Sequence, residues 1–479
     1  MTEPTTRRIA IEPLSRVEGH GKVTLLLDEA GAVREARLHI VEFRGFEAFI
    51  VGRPYWEVPV VVQRLCGICP VSHNLCAAKA LDAVVGGVPP PSAVKLRRLM
   101  HSAQLLQSHA LHFFHLASPD LLFGFDSDAS RRNLMGLVER HPEVAKMGVM
   151  LRKFGQQVLE AVYGKRVHGT GAVPGGVNKH LSLEARDQFV SQVPQVKAWA
   201  LEAVGLARRL TEVNQARHRG FGAVPSNLLG LVATDGSLDL YDGVLRGVDA
   251  EGRVLFDGVE AVDYRALIRE EARPWSYMKF PYLERLGPDV GWYKVGPLAR
   301  LQLCDRLPTP LAEAARLEFR AAYPGVTHAP LAYHWARMVE LLHAVEDLER
   351  LFADEGLLHG DLVATGARQR EGIGIIEAPR GTLIHHYEVG DDDLVTRCNL
   401  IVSTTNNNQA MNEAIRAVAQ RYLSGHEVTE GLLNHVEVAV RAFDPCLSCA
   451  THAMGQMPLE VTVVDAGGAV AGVGRRGEA

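Results

Sequence analysis

Four cysteines constrain this chain more than any other feature. They stand in "RLCGICPVSH" (Arg64–His73) and "DPCLSCATH" (Asp444–His452), with most of a 479-residue sequence between them. Each stretch holds a C-x-x-C pair: Cys66 and Cys69, then Cys446 and Cys449. Pro70 is a good first helical residue, and the Ala/Leu-rich run after it predicts a helix. Cys69 then sits at a helix N-terminus, where unpaired amides and the helix dipole favour a thiolate. His73 falls on the same side, one turn later. The second pair repeats the pattern: Asp444 can cap, Pro445 can start a turn or helix, and Cys446, Cys449 and His452 follow at steps of three.

Several roles suit such pairs. Either pair alone fits a redox disulfide, and chance placement is a third reading. A structural zinc site would use all four sulfurs, but zinc ribbons separate their pairs by roughly 15–20 residues. Four convergent thiolates also suit a soft transition metal such as nickel, selected by geometry rather than raw affinity. Cys76, Cys304 and Cys398 lack metal spacing and are expected in the core.

With 47% hydrophobic and 22% charged residues, the chain can bury a large core. A net charge of −5 without a basic block argues against nucleic acid as partner. No run of 18 apolar residues exists, so no membrane span is expected. The Arg7-Arg8 pair is followed by Glu12, Pro13, Ser15, Arg16 and Glu18, where an export signal needs apolar residues; the expected location is cytoplasmic. Seven cysteines in so long a chain do not make a disulfide scaffold.

The pattern predicts an α+β fold, mostly helical: a helical body with small terminal sheets. Residues 8–50 alternate apolar and polar around a turn near Glu29-Ala30-Gly31, which reads as a hairpin. After the loop "VGGVPPPSAV", helical periodicity begins at "KLRRLMHSAQLLQSHALHFFHL". Further helices are expected at 129–163, 181–218 and 309–355, extended chain at 369–405, and a last helix at 408–424 before the second cysteine pair. The Gly/Asp-punctuated 220–305 stretch reads as a β-rich insertion. The expected divisions are an N-terminal sheet region (1–60), a helical core with the first pair (61–219), the insertion (220–305), a helical and extended region with the second pair (306–452), and an extension (453–479). His101, His109, His112 and His115 stand at helical spacing and are expected as core or interface residues rather than metal ligands.

Two glycine-rich stretches imitate nucleotide loops and fail. "GTGAVPGG" (169–176) has Pro174 where the third glycine belongs, and "GIGIIE" (372–377) has no third glycine and no helix after it. No further cysteine group could ligate iron–sulfur clusters. The chain itself is therefore expected to bind no NAD, flavin or iron–sulfur cluster.

Taken together, the two cysteine motifs resemble those of the large, catalytic subunit of nickel-iron hydrogenases, most closely the cytoplasmic NAD-reducing type. The resemblance spans essentially the whole chain. It implies a fold shared with the catalytic-core subunit of complex I, and reversible, heterolytic cleavage of dihydrogen. Cys66, Cys69, Cys446 and Cys449 would ligate nickel, with Cys69 and Cys449 bridging to an iron that carries carbonyl and cyanide. Cys446 is the sulfur implied to take the proton, and Glu18, in "SRVEGHG", the carboxylate that relays it. Arg380, in "EAPRGTLIHH", would approach the cyanides, Thr404, in "NLIVSTTNNN", could offer them a hydroxyl, and His73 would donate a hydrogen bond near the metals. Magnesium would bind Glu47, in "FRGFEAF", the Leu400 carbonyl and His452.

The implied partners are an iron–sulfur small subunit, flavin/NAD diaphorase subunits and a maturation protease that cuts after His452, removing 453–479 once metal is loaded. Ser403 stands where many relatives have Pro, and Ser108 where membrane-linked relatives have Asp. Rival readings are a related hydrogenase chain coupled to a deazaflavin or a heterodisulfide reductase, and a non-catalytic complex-I-like scaffold, whose members lack the cysteine pairs.

Overall fold

The computed structural model describes residues 8–451 and the backbone of two further strands, Leu459–Val464 and Val470–Arg476, which pair antiparallel. His452 and the expected cleavage point lie outside the described residues.

Four long helices, Pro91–Leu111, Pro142–Tyr163, Leu183–Val213 and Ala332–Phe352, pack on one another at the centre. Proline opens the first two, and Ser182 caps the third by accepting the Ala185 N–H at 3.2 Å. The fourth contains neither Gly nor Pro and is buried along nearly its whole length. Trp335, Met338, Leu341, Leu342 and Val345 fill the core, but the same helix also buries Arg337, Glu340 and His343. Buried charge of this kind needs partners. Glu340 has them in Arg300 (2.6 and 2.7 Å) and His109 (3.1 Å).

The expected helices exist but are divided where local chemistry demands it. Residues 129–163 hold two, Leu134–Arg140 and Pro142–Tyr163, because Pro142 disfavours helical backbone at His141 (φ −135°, ψ 56°). Residues 309–355 likewise give Pro310–Ala322 and Ala332–Phe352. The helix at Asn408–Tyr422 is not the last before the second cysteine pair. Glu430–Ala442 follows, with Thr429 capping it through the Leu432 N–H, a capping residue visible in the sequence that pattern reading passed over.

Among the described residues, three sheets of three or more strands surround the helices. Arg8–Ile11, Gly21–Leu27 and Val33–Ile40 form an antiparallel sheet, with the hairpin closed by Asp28 N–H on the Ala32 carbonyl at 2.9 Å. Asn227–Val232 is the inner strand of a four-stranded sheet with Tyr293–Lys294, Val244–Val248 and Val254–Val259. Its Leu229, Leu231 and Leu245 join one apolar cluster with Ile375, Ile384 and Ile401 of the third sheet, Glu371–Ala378, Gly381–Val389 and Val395–Ile401.

The glycines that imitate a nucleotide loop have a packing role. The Pro70–Val84 helix lies across the Glu371–Ala378 strand so closely that a Cβ on Gly372 or Gly374 would stand 2.0 Å from the Ala80 carbonyl oxygen or 2.4 Å from that of Cys76. Residues 169–176 form short strands at Ala172–Val173 and Gly176–Val177 rather than a loop before a helix. Gly374→Val should therefore push helix from sheet and lower stability by about 1–3 kcal/mol or more. Thermal unfolding would report this, and because the displaced helix carries Cys69 at its start, metal content should fall with it. No helix among the described residues is long and apolar enough to cross a membrane.

Candidate metal centre

The fold closes the chain on itself. The segment holding Glu18 lies alongside that holding Cys446, as a parallel bridge in which the Leu447 N–H donates to the Glu18 carbonyl at 2.9 Å. Gly19 permits this approach: its φ is 84°, and a Cβ there would stand 2.6 Å from the Ser448 nitrogen. Arg16 anchors the same segment from the other side through Asp120 at 2.6 Å.

All four cysteines of the two pairs meet in the interior. Their sulfurs lie within 4.8 Å of one another and all four residues are buried. Cys66 and Cys446 are 3.1 Å apart, Cys69 and Cys449 3.6 Å, and Cys446 and Cys449 2.7 Å. Cys69 does stand at the start of the Pro70–Val84 helix, and the N–H groups of Ile68 and Cys69 point at the Cys66 sulfur at 3.1 and 3.2 Å. Burial acts to raise every one of these thiols. At Cys66 it is overcome by the three neighbouring sulfurs and by the positive charge of Arg380, which together hold that thiol well below its ordinary value; Cys446 and Cys449 lie well above theirs. Crowded, buried sulfurs that share negative charge form a soft donor set for a transition metal.

The side chains around the sulfurs are placed by two turns. Arg380 stands in the two-residue hairpin between Glu371–Ala378 and Gly381–Val389, with Ala378 opposite Gly381. Its guanidinium is buried, donating to the Asp444 carbonyl at 2.6 Å and to Asp444 Oδ1 at 3.0 Å, with Ser108 Oγ at 3.5 Å. Thr404 accepts the Cys446 N–H at 2.9 Å. Glu18 Oε2 lies 2.9 Å from the Cys446 sulfur and accepts the Ser448 N–H at 3.2 Å; burial, then the charge of Cys66, pushes its carboxyl above the ordinary range. A cavity of about 10 Å³ lies among Cys69, Cys449, Arg380, Leu383, Val402 and Thr404, and His73 also reaches its wall. His73 Nδ1 faces His385 Nε2 at 3.2 Å.

The residues expected to bind a hard cation only partly assemble. Glu47 Oε1 accepts the Leu400 N–H at 2.8 Å, and both its oxygens hold the Lys279 ammonium, at 3.0 and 3.1 Å. Lys279 also reaches Glu270 at 3.4 Å and Asn399 at 3.2 Å. Two carboxylates thus share one ammonium, and Glu270 Oε1 is buried without a hydrogen bond.

Two expectations need correction. Cys446 is not at a helix start: Asp444 has a left-handed φ of 54° and spends its side chain on Arg380, leaving a single 3₁₀ turn at Ser448–Ala450. Cys398 is half-buried, whereas Cys76 and Cys304 are core residues as expected. His101, His109 and His112 are buried and bonded to carbonyls or to Glu340, His115 is half-buried, and none joins a metal-holding group among the described residues.

Sequence reading missed Asp444 as the partner of Arg380, His385 beside His73, and Lys279 and Glu270 beside Glu47. It also missed Ser72, a residue of the cavity wall whose buried hydroxyl has no hydrogen bond among the described residues. The signal for Asp444 was its place next to the second pair; the others become neighbours only through folding.

The chain is similar to known proteins along most of its length. The family described as nickel-dependent hydrogenase matches residues 44–123 and 247–452, and one described as HoxL-like matches 8–43. The chain is 47% identical to the NAD-reducing hydrogenase HoxS subunit beta of Cupriavidus necator, over 97% of this chain and 98% of that one. It is 40% identical to a chain of the vhc F420-non-reducing hydrogenase of Methanococcus voltae, over 94% and 96%. A crystal structure of an NAD+-reducing NiFe-hydrogenase in the H2-reduced state superposes with a TM-score of 0.92 at 60% identity, covering 94% of this chain and all of that one. The Ni-Fe-Se hydrogenase from D. vulgaris Hildenborough shares the fold at a TM-score of 0.76 and 24% identity.

Proposed function

We infer the function from this premise: the chain belongs to the nickel-dependent hydrogenase family, as a catalytic large subunit of the NAD-reducing type. The reading is reversible, heterolytic cleavage of dihydrogen at a nickel-iron group held by Cys66, Cys69, Cys446 and Cys449. The observation that carries it is the convergence of four buried sulfurs from opposite ends of the chain. Ser72, a residue of the cavity wall, adds to the fit, because its buried hydroxyl has no hydrogen bond among the described residues.

When bound, such a group supplies the acceptor for the electron pair of dihydrogen. The chain's own residues manage the proton and the charge. The Cys446 sulfur is 2.9 Å from Glu18 Oε2, so a proton it holds is within direct transfer reach. The Ser448 N–H fixes that carboxylate, and burial raises its proton affinity above that of an ordinary carboxylate. Arg380, pinned by Asp444, presents a fixed positive charge to the cavity, and Thr404, whose oxygen already accepts the Cys446 N–H, keeps its hydroxyl hydrogen for a ligand there. Leu383 and Val402 keep the cavity apolar, which suits a small apolar substrate.

Magnesium at Glu47, the Leu400 carbonyl and His452 is supported by the surplus of carboxylate around Lys279, where Glu47 and Glu270 share one ammonium. Removal of 453–479 after His452 is supported by the family match, which ends at residue 452. Electrons would leave through a small iron–sulfur partner, then through a diaphorase. NAD would bind on that partner, a reading supported by the two glycine-rich stretches of this chain, one in a strand and one around short strands rather than before a helix.

Metal analysis and dihydrogen-dependent NAD reduction by the purified complex test the reading together. About one nickel and one iron per chain with NAD reduction is expected; zinc alone would refute the metal centre, and reduction of a deazaflavin but not NAD would move the acceptor. Intact-mass measurement of the active complex should give a large subunit ending at His452.

A further inference from the structure

A wider turn of the π type, His112–Ala117, lies between the helices Pro91–Leu111 and Ser118–Phe123. Single turns of this kind occur mostly inside α-helices and frequently at functional sites. Here the turn and the helix after it build a knot of hydrogen bonds that joins both ends of the chain. Asp120, 2% exposed, accepts from Arg16 NH2 on Oδ1 at 2.6 Å and from Arg441 NH1 on Oδ2 at 2.8 Å. Asn434 Nδ2 adds a third bond, to Oδ1 at 3.1 Å. Arg16 NH1 donates to the Leu116 carbonyl at 2.8 Å, and His112 Nε2 to the Arg441 carbonyl at 2.7 Å. Arg441 completes the knot by donating through Nε to the Ser15 carbonyl at 3.0 Å.

The two arginines stand just ahead of the residues assigned to the proton. Arg16 is two residues before Glu18, and Arg441 is five before Cys446. Two extended residues reach about 7 Å at most, so a fixed Arg16 leaves Glu18 little room to slide. Arg16 also has a left-handed φ of 55°, a state that is costly for a non-glycine residue and persists only where its surroundings enforce it. The enforcing contacts are those of its guanidinium. Beyond the knot the two ends meet again: the Leu447 N–H donates to the Glu18 carbonyl at 2.9 Å, and Glu18 Oε2 faces the Cys446 sulfur. Segments tied both at a charged knot and at a backbone bridge cannot slip past each other without breaking one tie. A slip of about 1 Å is enough to cost a positioned reacting group much of its rate.

We propose that Asp120 is a positioning residue for the proton step: by tying Arg16 to Arg441, it fixes the bridge on which Glu18 meets Cys446. The proposal rests on the reading of Glu18 as the group that takes the proton.

The experiment compares Asp120→Asn and Arg16→Met in the purified complex, each alone and combined with Glu18→Gln. Metal content, dihydrogen-dependent dye reduction and amide hydrogen exchange are measured on the same preparations. Both single variants should keep nickel and iron at the wild-type level and lower kcat about tenfold, with little change in KM for dihydrogen. Exchange at the Leu447 N–H should become about 10- to 100-fold faster, while the Ala332–Phe352 helix keeps its wild-type protection. In the Glu18→Gln background neither change should lower turnover further, because the carboxylate it positions is already gone. Unchanged exchange at Leu447 in both variants, faster exchange throughout the chain, loss of metal, or a further fall in the Glu18→Gln background would each overturn the proposal. Where Asp120→Asn yields no complex, Arg16→Met decides by the same readings, since it leaves Asp120 with Arg441 and Asn434. A wild-type complex without nickel, or Glu18→Gln with wild-type turnover, would overturn the functional reading itself.

Discussion

Glu18→Gln is expected to lower dihydrogen-dependent dye reduction by about 10²- to 10⁴-fold while nickel and iron stay in place, the range over which a positioned acid-base group acts. Glutamine keeps the shape of the side chain, and its amide can still meet the Cys446 sulfur and the Ser448 N–H that Glu18 Oε2 now serves. What it loses is the ability to take a proton. The substitution should cost little stability, because burial already disfavours the charged form of Glu18. Metal content measured beside turnover separates the two roles. Unchanged turnover would show that protons leave the Cys446 sulfur by another route, and lost metal would show that Glu18 builds the site rather than serves it.

Cys69→Ser should abolish activity altogether by removing the metal group, with nickel falling below stoichiometric amounts in the purified complex. A serine hydroxyl does not ionise in this environment and is a hard donor where four soft ones converge. The informative control is Cys76→Ala, two turns along the same helix. Cys76 is equally buried, but its thiol donates to the carbonyls of Gly374 and Leu383 at 3.2 and 3.4 Å, and burial holds it well above the ordinary thiol range. Its loss should leave nickel and turnover near wild type. Retention of nickel by the Cys69→Ser complex would remove that sulfur from the ligand set.

The legibility of the site followed the reach of each interaction. Cys66, Cys69 and Pro70 are neighbours in sequence, so their placement at a helix start could be read from the residues alone, and the structure puts it there. The same reasoning failed at Asp444 and Pro445, because Asp444 has a stronger partner than the helix amides it might have capped. That partner, Arg380, is 64 residues away in sequence. Ser72 shows the same limit in another form: a small polar residue inside a helix is ordinary until the fold buries its hydroxyl beside the cavity with nothing to bond.

By itself, the sequence determined the ligand chemistry. Two C-x-x-C pairs, a hairpin arginine and a carboxylate after a short strand are local patterns whose donor types do not depend on the fold. Only the tertiary structure decided which of them meet. Gly19 lets the Glu18 segment lie against Ser448, Gly372 and Gly374 let the Cys69 helix lie on the Arg380 hairpin, and burial then sets how strongly each charge is felt. Distance and dielectric belong to the folded chain, and they turn four soft donors, two carboxylates and one arginine into a single centre.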